Sequence, residues 1–218
     1  MINKNKIIEL DNKTNIRYNF RLDKFGDDPK TLGWDNRKNQ IYRFENSLRG
    51  IKLSNKRILD IGCGLGDFYS FIFKKFKSHK FVYTGVDINS KLINLCKRKF
   101  NDTEFINQNI LIDKFEDRSW DIVTMFGLLN LKLNEFLNII YSKEFIREAF
   151  NLCEELLIVD MLSSYNDKEY KKEDFVYYHD PLDMIKFALE LTPYVSFIHD
   201  NKSIPQREFI LILRKIPC

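Results

Sequence analysis

The chain has 218 residues, 44% of them apolar and 30% charged, with 35 Lys and Arg against 31 Asp and Glu for a net charge of +4. That balance suits one soluble α/β domain with a sizeable core and excludes a disordered or fibrous chain. The small basic excess lies in short groups such as Lys74-Lys75, Lys97 to Lys99 and Lys171-Lys172, which read as solvated surface and indicate no nucleic-acid partner. No apolar run approaches the ~18 residues of a membrane span. The charged stretch Met1 to Leu10 is too short in apolar length for a signal peptide, so the expected setting is cytoplasmic and reduced. The cysteines (Cys63, Cys96, Cys153, Cys218) are scattered without a C-x-x-C pair. The histidines lack ligand spacing, so no metal site is expected.

Residues 1–54 precede the first core strand and read as a helical cap, with Ile41, Phe44 and Leu48 on one face of a helix over Asp35 to Arg49. From there strands and helices alternate. Strands are predicted over 57–61, 81–86, 103–107, 120–126 and 156–161, and helices over 67–76, 89–100 and 134–153, with Asn89 and Asn134 as N-caps. The tail adds a loop over 163–174, a helix opened by Asp180-Pro181, and strands over 194–199 and 207–214. The pattern predicts a doubly wound, Rossmann-like, mostly parallel sheet of seven strands, with helices on both faces and an antiparallel strand in a C-terminal hairpin. The whole chain reads as one domain: a cap to residue 54, a core over 55–161, and a C-terminal loop, helix and hairpin over 162–218.

The densest signal is Ile58-Leu59-Asp60-Ile61-Gly62-Cys63-Gly64-Leu65-Gly66-Asp67, an apolar strand running into a glycine-rich turn that opens a helix. Glycines at alternate positions let a backbone pass close to a ligand, and the following helix points unpaired N–H groups at the same space. A dinucleotide turn, G-x-G-x-x-G, would need a glycine where Asp67 stands, and a carboxylate there repels a pyrophosphate. A P-loop would need a Lys and a Ser or Thr after the last glycine. A ligand-free tight turn would need one glycine, not three. A second acid, Asp87, ends the next strand about twenty residues on, where such sheets place a carboxylate against ribose hydroxyls.

With these residues the run resembles the first motif of the class I S-adenosylmethionine-dependent methyltransferases. The resemblance implies S-adenosylmethionine as cofactor. It assigns Asp60, Gly62, Cys63, Gly64 and Gly66 to the cofactor turn, Asp87 and Ile88 to the ribose side, Asn109 and Ile110 to the adenine, and Phe126 to the edge after the fourth strand. The family usually has Asp where this chain has Asn109, whose amide oxygen can accept the same bond from the adenine amino group; Asn109 reads equally as a turn residue. Cys63 reads as a small packing residue. Arg43 reads as the holder of the cofactor carboxylate or as helix surface, and Tyr18 and Trp34 as rings that close over the cofactor or simply pack, with Trp34 also assigned to substrate binding.

Asn130 falls where the acceptor would bind, in Met125 to Leu131, which lacks the Asn/Asp-Pro-Pro-Tyr type of motif used on base and glutamine amino groups. The loop Phe175 to Pro181 supplies Tyr178 and His179, read as catalytic and substrate-contacting, with His179 taking a proton or only starting a helix. The expected function is methyl transfer to a nitrogen or oxygen of a small polar metabolite, including an amino or amidino sugar or a nucleotide-activated sugar, by a monomer or homodimer. An RNA or protein methyltransferase and a non-catalytic cofactor-binding module are the alternatives.

Overall fold

Asparagine sets most of the helix starts. Asn3, Asn36, Asn89 and Asn134 each accept a backbone N–H two or three residues ahead, at 2.8, 2.9, 3.1 and 2.8 Å, which satisfies one of the N–H groups a first turn leaves bare. Asp180 does the same for Leu182 at 2.9 Å, with Pro181 in the first helical position. A computed structural model describes residues 2–77, 80–115, 119–166, 170, 172–200 and 208–217. Met1, Lys171 and Cys218, named above, lie outside the described residues, as do residue 207 of the last predicted strand and parts of the 163–174 loop. The chain divides into two compact units, residues 2–114 and residues from Phe115 on.

The first unit begins with α1 (Lys4–Phe25), a helix of 22 residues that hydrophobic periodicity does not announce: only Ile7 and Leu10 are fully buried in it, and its many Asn residues are poor helix formers. A short 3-10 turn (Pro29–Leu32) and α2 (Arg37–Ser47) follow. Then come β1 (Arg57–Ile61), α3 (Asp67–Lys75), β2 (Val82–Asp87), α4 (Ser90–Lys99) and β3 (Glu104–Asn107). β1 and β2 run parallel with Asp60 opposite Gly85, and β2 and β3 run parallel with Asp87 opposite Asn107. The carboxyl ends of these strands therefore lie side by side, the edge where open α/β sheets take ligands. Ile58, Leu59, Val86, Ile93 and Phe105 form the core beneath.

The second unit holds β4 (Trp120–Met125), a 3-10 turn (Leu128–Asn130), α5 (Glu135–Leu152), β5 (Cys153–Leu162), α6 (Pro181–Leu191), β6 (Val195–Ile198) and β7 (Glu208–Arg214). β4 and β5 are parallel, while β7 runs antiparallel to both β5 and β6. The strand order is β3-β2-β1 in the first unit and β4-β5-β7-β6 in the second, mostly parallel with the one antiparallel strand expected from the sequence. β5 is longer than its apolar run, because it starts on Cys153 directly at the end of α5 and its first turn outward carries Glu154 and Glu155. Among the described residues no helix is long and apolar enough to cross a membrane.

Candidate cofactor and acceptor sites

The glycine turn is bolted to the end of β2. The N–H groups of Gly62 and Cys63 both donate to the Val86 carbonyl, at 2.7 and 3.0 Å, and Gly66 N–H donates to the Cys63 carbonyl at 2.9 Å. Gly62, Gly64 and Gly66 have φ of +76°, +56° and +72°, a region side chains other than glycine rarely tolerate. The expectation that bare α-carbons here face a ligand needs correcting at two positions. A Cβ on Gly64 would stand 2.6 Å from Leu32 Cδ1, and one on Gly66 would stand 2.7 Å from Phe100 Cε2. At both positions glycine is required by the backbone angle and by a side chain of this protein that fills the space.

Asp87 is the centre of the strand-end cluster. Its Oδ2 accepts Gly64 N–H at 3.0 Å and its Oδ1 accepts Asn89 N–H at 2.8 Å. Burial pushes its carboxyl above the usual range, against the pull of the Asn89, Gly64 and Ile88 N–H groups. Asp60 is buried and accepts the Tyr83 hydroxyl at 2.7 Å. Burial, reinforced by the Asp60 charge, pushes that phenol well up. Cys63 is buried as packing, and burial raises its thiol well above the ordinary value. The neighbouring Cys96 Sγ donates to the Gly64 carbonyl at 3.2 Å.

At the end of β3, Asn109 is buried with both faces of its amide engaged: Oδ1 accepts Leu111 N–H at 2.8 Å and Nδ2 donates to Asp11 Oδ2 at 2.8 Å. Its backbone N–H goes to Asp113 Oδ2 at 2.8 Å. Ile110 is buried and Ile88 half-buried.

Sequence reading named Tyr18 but missed the rest of what α1 contributes. Asp11, Asn15, Tyr18 and Asn19 lie at i, i+4, i+7 and i+8, one face of a helix, and this polar face meets the ends of β2 and β3. Asn15 Nδ2 donates to the Ile88 carbonyl at 3.4 Å, and Asn89 Nδ2 donates to Asn19 Oδ1 at 3.0 Å. Burial raises the Tyr18 phenol, and the Asp87 charge adds to that rise. The Oδ1 atoms of Asp11 and Asn15 are buried without a hydrogen-bond partner. Together with Asp87 they form a set of acceptors suited to a ligand that brings hydroxyl or amino hydrogens.

The side chain of Asp67, read above as a barrier to phosphate, is buried in the first turn of α3 and is held by Arg37 and, at 2.9 Å, by Gln40 Nε2. Arg43 is also buried, its guanidinium 4.3 Å from the centroid of the Trp34 ring, and Trp34 meets Phe44 edge-on at 6.1 Å. Stacking on an indole face is a stable place for a guanidinium and accounts for its burial.

In the second unit, Phe126 is buried at the end of β4, and Gly127 N–H donates to Asp160 on β5. Asn130 Oδ1 accepts Leu162 N–H at 2.9 Å and its carbonyl accepts Tyr177 N–H at 2.9 Å, so it joins the 3-10 turn to the end of β5 and to the aromatic loop. Tyr178 Oη accepts Glu173 N–H at 3.1 Å and lies 3.4 Å from Tyr170 Oη.

The base role expected for His179 is not what its surroundings favour. The ring is 1% exposed and its Nε2 lies 3.0 Å from the Leu129 carbonyl. A carbonyl only accepts, so Nε2 carries the proton. Burial lowers the pKa to about 4, with the Leu129 bond and the Asp183 charge opposing. Such a ring is a weak base, fixed as a strut under the 3-10 turn. Among the described residues no group of three metal-ligating side chains comes together.

Residues 58–152 match a methyltransferase domain. A phthiotriol/phenolphthiotriol dimycocerosates methyltransferase of Mycobacterium ulcerans is 32% identical over 88 residues, 39% of this chain and 32% of that relative, so the chain matches about a third of that relative's length. The fold is shared with magnesium protoporphyrin IX methyltransferase of Synechocystis PCC 6803, solved with bound S-adenosylhomocysteine, at a TM-score of 0.66 and 14% identity over 94% of this chain and 99% of that one. An amino pentose methyltransferase of Micromonospora echinaspora, solved with bound S-adenosylmethionine, gives a TM-score of 0.57 at 9% identity over 80% and 90% of the two chains. In its glycine turn locked to Asp87, its fold and its matched domain, this chain is similar to the class I S-adenosylmethionine-dependent methyltransferases.

Proposed function

We propose that this chain, acting as one domain, transfers a methyl group from S-adenosylmethionine to a nitrogen or oxygen of a small polar metabolite. The observation that carries the reading is Asp87: a carboxylate at a parallel strand end, fixed by Gly64 and Asn89 N–H groups and lifted in pKa by burial, which further hydrogen-bond donors would relieve. Ribose hydroxyls are such donors. In this reading Asp87 holds the ribose; Ile88 and Ile110 flank the adenine; Asp60, Gly62, Cys63, Gly64 and Gly66 shape the turn; and Arg43, backed by Trp34, faces the cofactor carboxylate.

When bound, the cofactor supplies the electrophile, a methyl group on a sulfonium. The protein's own part is to orient the acceptor and keep water away. His179 is assigned a positioning role: its Nε2–H steadies Leu129 and thereby the turn that ends in Asn130, while Tyr178 and Asn130 are the polar groups offered to the acceptor. A ring with a pKa of about 4 gives a hydroxyl little help, whereas a neutral amine attacks without prior deprotonation. The reading therefore favours nitrogen. The amino pentose methyltransferase among the fold relatives supports an amino sugar, and the porphyrin and phthiotriol methyltransferases make apolar acceptors the second class to screen.

Calorimetric titration with S-adenosylhomocysteine tests the cofactor half. Wild type is expected to bind in the micromolar range, and Asp87→Ala to bind about tenfold to a hundredfold more weakly, the loss of a charged acceptor. A folded wild type that does not bind, or an Asp87→Ala variant that binds equally well, removes the reading.

A further inference from the structure

The third strand raises a question of charge. Where the resemblance calls for a carboxylate to accept the adenine amino group, this chain has Asn109, whose Oδ1 already accepts Leu111 N–H at 2.8 Å. The missing charge stands one hydrogen bond away. Asn109 Nδ2 donates to Asp11 Oδ2 at 2.8 Å, a contact across 98 residues of sequence from the N-terminal helix. The other oxygen, Asp11 Oδ1, is buried with no partner, as is Asn15 Oδ1 one turn further along the same face. A buried carboxylate oxygen without a donor is costly, and native interiors rarely keep one except where something else satisfies it. Burial raises the Asp11 carboxyl and the Asp113 charge adds to the rise, while the Asn109 bond opposes it. Asp11 in turn contributes to the raised pKa of Asp87, so the two carboxylates share one region of the site.

We propose that Asp11 Oδ1 accepts the exocyclic amino group of the cofactor's adenine, so that recognition of the base is carried by the N-terminal helix α1 rather than by the end of the third strand. The inference rests on the cofactor reading above. Asn109 becomes a positioning residue: its amide holds Asp11 Oδ2 and so turns Oδ1 toward the ligand. Asn15 Oδ1 is the second acceptor on the same face.

The test is a ratio. Hypoxanthine carries a carbonyl oxygen where adenine carries the amino group, so S-inosylhomocysteine removes the exocyclic donor, and it places an N–H on the adjacent N1. Titration of wild type with S-adenosylhomocysteine and S-inosylhomocysteine is expected to favour the adenine ligand by about tenfold or more, as sites built around a buried acceptor do. In Asp11→Asn the amide can donate, and the preference is expected to fall to near parity. Asp113→Asn, altered at the other carboxylate bonded to Asn109, is expected to keep the wild-type ratio. Circular dichroism checks each fold, and Asp11→Ala, read by the same ratio, serves if Asp11→Asn does not fold. A wild type indifferent to the base overturns the proposal. So does an Asp11 variant that weakens both ligands equally, which would make Asp11 a clasp for α1 and nothing more. A wild type that binds neither ligand strikes the cofactor reading itself, and the assignment of Asp11 falls with it.

Discussion

At the scale of single residues, His179 shows how burial redirects a side chain that sequence alone marks as chemical. A histidine beside two tyrosines at a helix start reads as a proton acceptor because its ordinary pKa lies near neutrality. Removing its water lowers that pKa to about 4 and turns it into a strut. The unfolded chain takes up this proton near pH 6.5, whereas the folded ring stays neutral down to about pH 4. Stability from the buried neutral ring is thus fully present above pH 6.5 and is lost as pH falls toward 4, by up to about 3 kcal/mol. His179→Gln keeps an N–H for the Leu129 carbonyl but does not titrate. Urea unfolding across this range should show wild type losing stability more steeply than the variant, and parallel profiles would contradict a buried neutral ring. Asp60, Gly64 and Asp87 were legible from spacing because their backbone setting is local. The partners that decide what they do, Tyr83, Leu32 and Asn89, come from other elements and leave no local mark.

At the scale of elements, the tie between α2 and α3 is electrostatic. Asp67 is buried, with a side chain only 3% exposed, and relies on Arg37, Gln40 and the N-terminal end of its own helix. Arg37→Ala leaves that charge with less compensation and should cost about 2–4 kcal/mol in chemical denaturation. Asp67→Asn added to Arg37→Ala removes the stranded charge, so the double variant should be more stable than Arg37→Ala alone. A double variant no more stable than the single would show that the carboxylate is adequately solvated without Arg37. The elements themselves were legible wherever an apolar run coincided with a strand, as in β1, β2 and β4. α1 was not, since its working face is polar: Asp11, Asn15 and Asn19 meet strand ends rather than a hydrophobic core, and a search for apolar periodicity passes over such a helix. The start of β5 was missed for a related reason, as Glu154 and Glu155 interrupt the apolar pattern while the backbone is already extended.

At the scale of the whole molecule, a ligand that binds the folded chain and not the unfolded one must raise its melting temperature. S-adenosylhomocysteine at one hundred times its dissociation constant contributes about 2.7 kcal/mol, which for a chain of this length corresponds to roughly 5–10 °C. Scanning fluorimetry should show that shift in wild type and a much smaller one in Asp87→Ala at the same ligand concentration; equal shifts in both would place the ligand elsewhere. The sheet order has a further consequence for how the protein is made. β7 lies between β5 and β6, with every residue from Glu208 to Leu213 buried. During synthesis β6 emerges first and finds its neighbour's seat empty, because the strand that gives it hydrogen bonds has not yet been translated. β5 therefore waits with an open flank until residues near 214 leave the ribosome, and only then does β7 slot in between β5 and β6. Late closure of this kind leaves an apolar edge of β5 exposed during translation, open to wrong pairing until β7 covers it.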